Sequence, residues 1–170
     1  MAEAATQNDN QYLTFTLDRE LFALDIVSVR EVLELVNITR VPRTPDFIRG
    51  VINLRGRAVP VVDLKMKFGL GETVPTVSTC VIIVEVCLEG EDTVLGALAD
   101  SVQEVYEMDT AQIEPPPRLG TPIKSEFIRG MGKTGDQFII VLEIGKVFTT
   151  QELTGLGHGL AEVGAETAEA

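Results

Sequence analysis

The sequence predicts a mostly β protein: two small five-stranded barrels related by an internal duplication, with only short helices. Three observations carry this. Apolar runs are short, alternating or rich in Val and Ile, and they are separated by Gly, Pro and Asp turns. At least nine strand candidates occur with no strand–helix alternation. Finally, two stretches recur in the same order. Phe47-Ile48-Arg49-Gly50 returns as Phe127-Ile128-Arg129-Gly130, and Pro60-Val61-Val62-Asp63-Leu64 is answered by Ile140-Val141-Leu142-Glu143-Ile144, with the acidic residue in register. Ser28–Leu35 matches Ser101–Met108 at five of eight positions, at an offset of 73.

Residues 1–11 are polar and are expected to be disordered. Residues 12–76 form the first expected barrel. Tyr12 to Leu17 alternates, with Leu13, Phe15 and Leu17 on one face. Asp18-Arg19-Glu20 is a turn, and Leu21 to Ile26 returns with Phe22, Leu24 and Ile26 inward. Ser28-Val29-Arg30-Glu31 fits a capping box, repeated at Ser101-Val102-Gln103-Glu104; each opens either a short helix or a turn. Ile38 to Val41 suits a short strand, and Pro42 and Pro45 extend the chain into Phe47. The organising element is the hairpin from Phe47 to Phe68, whose tip is Asn53-Leu54-Arg55-Gly56-Arg57.

Residues 77–144 form the second expected barrel. Val77 to Val86 is the strongest strand signal, and Val94 to Ala99 returns from a turn at Glu89 to Asp92. Pro115-Pro116-Pro117 reads as a stiff, exposed segment. Phe127 to Met131 and Gln137 to Ile144 make the second hairpin, joined by Gly132 to Asp136. Residues 145–153 are expected to be a short helix packing on the first half, and 154–170 an acidic, disordered tail. Cys80 and Cys87 lie seven apart on one strand, hence on opposite faces, and read as small core or half-core residues.

Composition narrows the function. A net charge of −12 repels phosphate backbones and anionic membrane surfaces, which argues against nucleic acid and membrane partners. No basic-then-apolar opening marks a signal peptide, and no run approaches a bilayer span, so a cytoplasmic location is expected. Catalytic signatures are missing. His158, the single histidine, lies in the tail, where a base is not held in place. No His/Cys cluster offers a metal site, so neither a metal nor another cofactor is expected. Gly130-Met131-Gly132-Lys133-Thr134-Gly135 ends in Gly-Lys-Thr-Gly, but position 127 is Phe where a phosphate loop needs glycine, and the segment joins two strands.

Asn53-Leu54-Arg55-Gly56 followed by Pro60-Val61-Val62-Asp63-Leu64, preceded by Thr44-Pro45-Asp46-Phe47-Ile48-Arg49-Gly50, resembles the CheW-like coupling family of bacterial chemotaxis. Phe22-Ala23-Leu24-Asp25-Ile26 and Val29-Arg30-Glu31-Val32 fit it too, and the resemblance spans roughly Gln11 to Leu153. It implies two SH3-like barrels and a non-catalytic scaffold that joins chemoreceptor tips to a CheA-type histidine kinase through the kinase's regulatory domain. It also implies that Val29, Glu31, Gly50 and Arg55 belong to the receptor side, with Glu31 pairing with Arg55. By the internal repeat, Phe127 and Gly130 are the expected kinase-side positions. Plainer readings stand beside these. Glu31 completes the capping box, Gly50 serves a bulge or turn, and Val29 is core. An adaptor of the same fold for another kinase pathway, or a small-ligand-binding β protein, are the alternatives.

Overall fold

In the computed structural model, described over residues 11–88, 90–115 and 125–148, ten strands form two five-stranded sheets. The strands are β1 (Gln11–Leu17), β2 (Glu20–Asp25), β3 (Val29–Glu34), β4 (Ile48–Leu54), β5 (Arg57–Asp63), β6 (Cys80–Leu88), β7 (Glu91–Ala99), β8 (Ser101–Glu107), β9 (Ile128–Thr134) and β10 (Gln137–Leu142). The first sheet has the order β8-β1-β2-β10-β9 and the second β3-β6-β7-β5-β4.

The duplication is real, but its halves do not fold side by side. Replacing β1–β5 by β6–β10 and the reverse turns one sheet order into the other, including the parallel contacts β2–β10 and β5–β7. Each sheet takes two strands from one repeat and three from the other. The division into 12–76 and 77–144 is therefore corrected. Hairpin β1–β2 leaves the first half to sit between β8 and β10, and β6–β7 leaves the second half to sit between β3 and β5.

The capping boxes are corrected as well. Ser28 ends a 3-10 turn, Ile26–Ser28, capped by Asp25, whose Oδ1 accepts from the Val27 amide at 3.1 Å. Glu31 and Glu104 both lie on strands, β3 and β8. β-branched and strand-pairing residues outweigh a four-residue capping pattern where a neighbouring strand supplies the hydrogen bonds. Ile38 to Val41 forms no strand. Only Thr39 pairs, in a bridge to Val51 on β4 that ties the segment after β3 across to the opposite end strand. Glu114 does the same to Met131 on β9.

Two helical turns follow the hairpins: α1 (Leu64–Lys67) after β5 and α2 (Ile144–Val147) after β10. Helix α2 is the described part of the helix expected over 145–153, and its Ile144 and Val147 are buried against β6. The second hairpin is longer than expected, with β9 continuing through Gly132 and Lys133 to a turn at Gly135 and Asp136. Gly132 is thus a strand residue, not part of a phosphate loop. His158, Pro116, Pro117 and the tail lie outside the described residues.

One core joins the sheets. Leu13, Phe15, Phe22 and Leu142 of the first sheet meet Val62, Ile82, Leu95 and Ala97 of the second. A row of rings, Phe15–Phe22–Phe68–Phe127, crosses it with centroid spacings of 6.0, 6.1 and 5.9 Å. Apart from these rings, Tyr12 and Phe148, the buried core is mainly aliphatic, as composition indicates. Cys80 is half-buried, but Cys87, near the end of β6, is exposed rather than a core residue, and both are free thiols.

Candidate functional site

The β4–β5 hairpin positions the site. Leu54 pairs with Arg57, so Arg55 and Gly56 are the two turn residues, with φ of 52° and 84°. Both central residues of a type I′ turn need positive φ, and Asn53 Oδ1 accepts from the Gly56 amide at 2.8 Å to close it. The turn aims Arg55 back at β3. Its guanidinium forks onto Glu31, with Nη1 donating to Oε2 at 2.7 Å and Nη2 to Oε1 at 3.1 Å. Thus Glu31 pairs with Arg55 and caps no helix. The pair links the two end strands of the second sheet, since Glu31 is on β3 and Arg55 follows β4. Arg55 nevertheless remains 72% exposed.

The hydrogen bond from Arg55 holds the Glu31 carboxyl below its ordinary value of 4.5 and raises the guanidinium in turn. A depressed carboxyl stays ionised at neutral pH and loses the pair only as pH falls through its lowered pKa. Glu31 should therefore titrate below 4.5 by NMR, and Arg55→Gly should return it to the ordinary range.

The same face carries a cavity of about 350 Å³ lined by Arg30, Arg55, Arg57, Leu54, Ile83 and Val94, among others. Arg30 is held by Glu85, with Nε to Oε1 at 2.8 Å. Val29 opens β3 and is half-buried against the shared core.

The glycines serve the chain's own backbone, which for Gly50 is the plainer of its two expected readings. Gly50 is buried with φ of 141°, and a side chain there would overlap the Thr39 carbonyl of the same chain. A register shift between Ile48 and Gly50 marks a bulge. The close approach that Gly50 allows is to the Thr39 backbone of the same chain. Gly130 repeats this, because a Cβ there would meet Ile113 and lie 2.5 Å from the Glu114 carbonyl oxygen. Phe127 is also corrected. It is 7% exposed, packs on Phe68 and belongs to the shared core, so it offers no docking surface.

Sequence reasoning missed the arginines of the repeated Phe-Ile-Arg-Gly motif. Arg49 Nη1 bonds the wholly buried Asp63 at 3.1 Å, and Arg129 forks onto Glu143 at 3.2 and 3.0 Å. Arg129 also reaches Asp25 at 3.2 Å, and these carboxylates, Glu143 first, raise its pKa. The signal was present: an arginine and an acid fourteen residues apart in both repeats. Asp25 caps the 3-10 turn Ile26–Ser28. Asp63 caps α1, but it is fully desolvated. Lys67 stacks over Phe47 at 4.5 Å and Phe127 at 5.7 Å, joining the two copies of the motif. Among the described residues no group of three or more His, Cys, Asp or Glu could hold a metal, and no helix is long and apolar enough to cross a membrane.

Comparison with known proteins completes the description. Residues 11–152 match the CheW-like domain model. The chemotaxis protein CheW of Klebsiella aerogenes is 34% identical over 143 residues, 84% of this chain and 84% of that protein. That of Treponema pallidum is 31% identical, over 89% of this chain and 90% of its own length. Protein FrzA of Myxococcus xanthus is 31% identical over 86% of this chain and 90% of that protein. The crystal structure of the scaffolding protein TtCheW from Thermoanaerobacter tengcongensis superposes with a TM-score of 0.75 at 40% identity, over 85% of this chain and 90% of that chain. With the matched model spanning every described strand and a solved relative sharing the two-sheet fold, this chain belongs to the CheW-like family.

Proposed function

We propose that the chain is a non-catalytic cytoplasmic adaptor that couples the cytoplasmic tips of chemoreceptors to the regulatory domain of a CheA-type histidine kinase. The Glu31–Arg55 face of the second sheet, bordered by Val29, meets the receptor, and the first sheet meets the kinase. Gly50, Phe127 and Gly130 shape these surfaces from inside rather than touch a partner. A net charge of −12 keeps nucleic acid and anionic membrane away.

One observation supports the receptor face above the rest. Arg55 occupies left-handed backbone, which disfavours any residue with a Cβ, while Gly135 holds the equivalent position in the second repeat with φ of 59°. An exposed ion pair contributes little to stability. Retaining arginine at a glycine position therefore points to a use outside the fold. The test is Arg55→Gly. Its melting temperature should stay within about 2 °C of wild type, since the turn relaxes as the pair is lost. Titration calorimetry should show receptor-tip binding weakened at least about tenfold, with kinase binding kept. Unchanged receptor binding would remove Arg55 from the interface.

A second reading is an adaptor of the same fold for a kinase outside chemotaxis, and the similarity to a relative whose name does not mention chemotaxis, protein FrzA, leaves room for it. A deletion strain that swims normally towards attractants but changes in another behaviour would favour it.

A further inference from the structure

The cavity beside Arg55 holds more positive charge than the known pair uses. Arg30 comes from β3, Arg55 from the β4–β5 turn and Arg57 from the start of β5, and all three line it. This is a concentration of guanidinium on a chain whose net charge is −12. Two of the three are already matched, Arg55 by Glu31 and Arg30 by Glu85. Among the described residues no carboxylate makes an ion pair with Arg57, which is exposed. Asp92 also lines the cavity but makes no salt bridge there. The remaining lining is aliphatic, from Leu54, Ala58, Val59, Ile83 and Val94.

We infer that this mouth of the second sheet is a socket for a protein segment that presents an aliphatic side chain beside a carboxylate, with Arg57 as the receiving guanidinium. The aliphatic group enters over Val59, Ile83 and Val94, where apolar area leaves water. The carboxylate meets the fork of Arg57, a planar donor suited to bidentate pairing where a lysine would act only as a point charge. Glu31 and Glu85 keep their own arginines occupied, so the incoming acid does not have to break an existing pair. A polyanion such as nucleic acid suits the socket poorly. One carboxylate is matched by Arg57, but a run of phosphates meets the acidic remainder of the surface. An amphipathic acidic helix, with aliphatic and acidic residues three or four apart, presents both groups side by side on one face.

This inference rests on the coupling reading and names the chemistry its receptor face selects. It is tested on the full chain by calorimetry against a chemoreceptor cytoplasmic fragment, with wild type, Arg57→Lys and Arg57→Glu. Arg57 is exposed, so each variant should melt as wild type does. The expected order is wild type, then Arg57→Lys weakened a few-fold, then Arg57→Glu weakened at least about tenfold and most clearly at low salt. Replacing a partner carboxylate by lysine should restore binding to Arg57→Glu. Full-strength binding by Arg57→Glu would overturn the socket and leave the coupling reading standing. No binding by wild type to the receptor fragment or to the kinase regulatory domain would overturn the coupling reading, and the socket with it.

Discussion

Gly130→Asp is expected to destabilise the whole fold, not to remove one partner selectively. The Glu114 amide donates to the Met131 carbonyl at 3.0 Å, and the Met131 amide donates back at 2.7 Å, so the backbones pass in contact beside position 130. Any Cβ there collides with Ile113 and lies 2.5 Å from the Glu114 oxygen. Aspartate adds a carboxylate against that carbonyl, buried without a donor. Breaking the bridge unties the segment after β8 from β9. Gly50 is under the same constraint at Thr39, with a positive φ added. We expect a loss of about 3–5 kcal/mol for Gly130→Asp, of the kind that overpacking and unpaired burial produce. Thermal melting followed by circular dichroism should show the transition lowered by about 10 °C or more. Receptor and kinase binding should fall together with it. An unchanged melt with only kinase binding lost would mean that Gly130 faces a partner after all.

Asp63→Ala should be comparably severe. Asp63 is wholly buried and accepts from the Thr73 amide at 2.9 Å, the Thr73 hydroxyl at 2.7 Å and the Lys65 amide at 3.1 Å, as well as from Arg49. Alanine leaves Arg49, which is 21% exposed, with only the well-exposed Glu72 at 3.0 Å, and it strands the Thr73 amide. It also uncaps α1. Removing one partner of a buried pair costs about 3–5 kcal/mol, because the desolvated groups left behind find no replacement. Asp63→Asn keeps one acceptor oxygen, enough for the Lys65 amide and the Thr73 hydroxyl, but sets an amide NH2 against the donors Arg49 and the Thr73 amide, so it should recover only part of the loss. Urea denaturation checks both, and a loss below about 1 kcal/mol for Asp63→Ala would show that water or Glu72 takes over the vacated bonds.

Much of this was legible in the chain. The turn at Asn53–Arg57 is legible because Gly56 and Asn53 supply what a two-residue hairpin requires. The alternation of Leu13, Phe15 and Leu17 marks a buried face, and all three are buried. The repeated Phe-Ile-Arg-Gly motif discloses the duplication. What each motif residue does was less legible. Phe127 and Gly130 read as surface by analogy with docking positions, yet Phe127, ending the 3-10 turn before β9, packs on Phe68, and Gly130 on β9 lies against Ile113. Equivalence between repeats shows that two residues share an environment, not whether that environment is solvent.

By itself the sequence determined most of the strands, though not β3 and β8, together with the hairpin turns, the repeat and the acidic surface, because these depend on contacts a few residues apart or on composition alone. Tertiary structure decided the exchange of hairpins between repeats. Tyr12 pairs with Tyr106, and Val81 with Leu33. The period-two pattern of a strand states which face is buried but not which neighbour it joins, and the alternation in β1 would serve either sheet equally. Partner choice was settled instead by the shared core, where Phe15 and Phe22 must reach Phe68 and Phe127 across the two sheets. The same packing turned Arg55 back onto Glu31, joining residues 24 apart that no local pattern brings together.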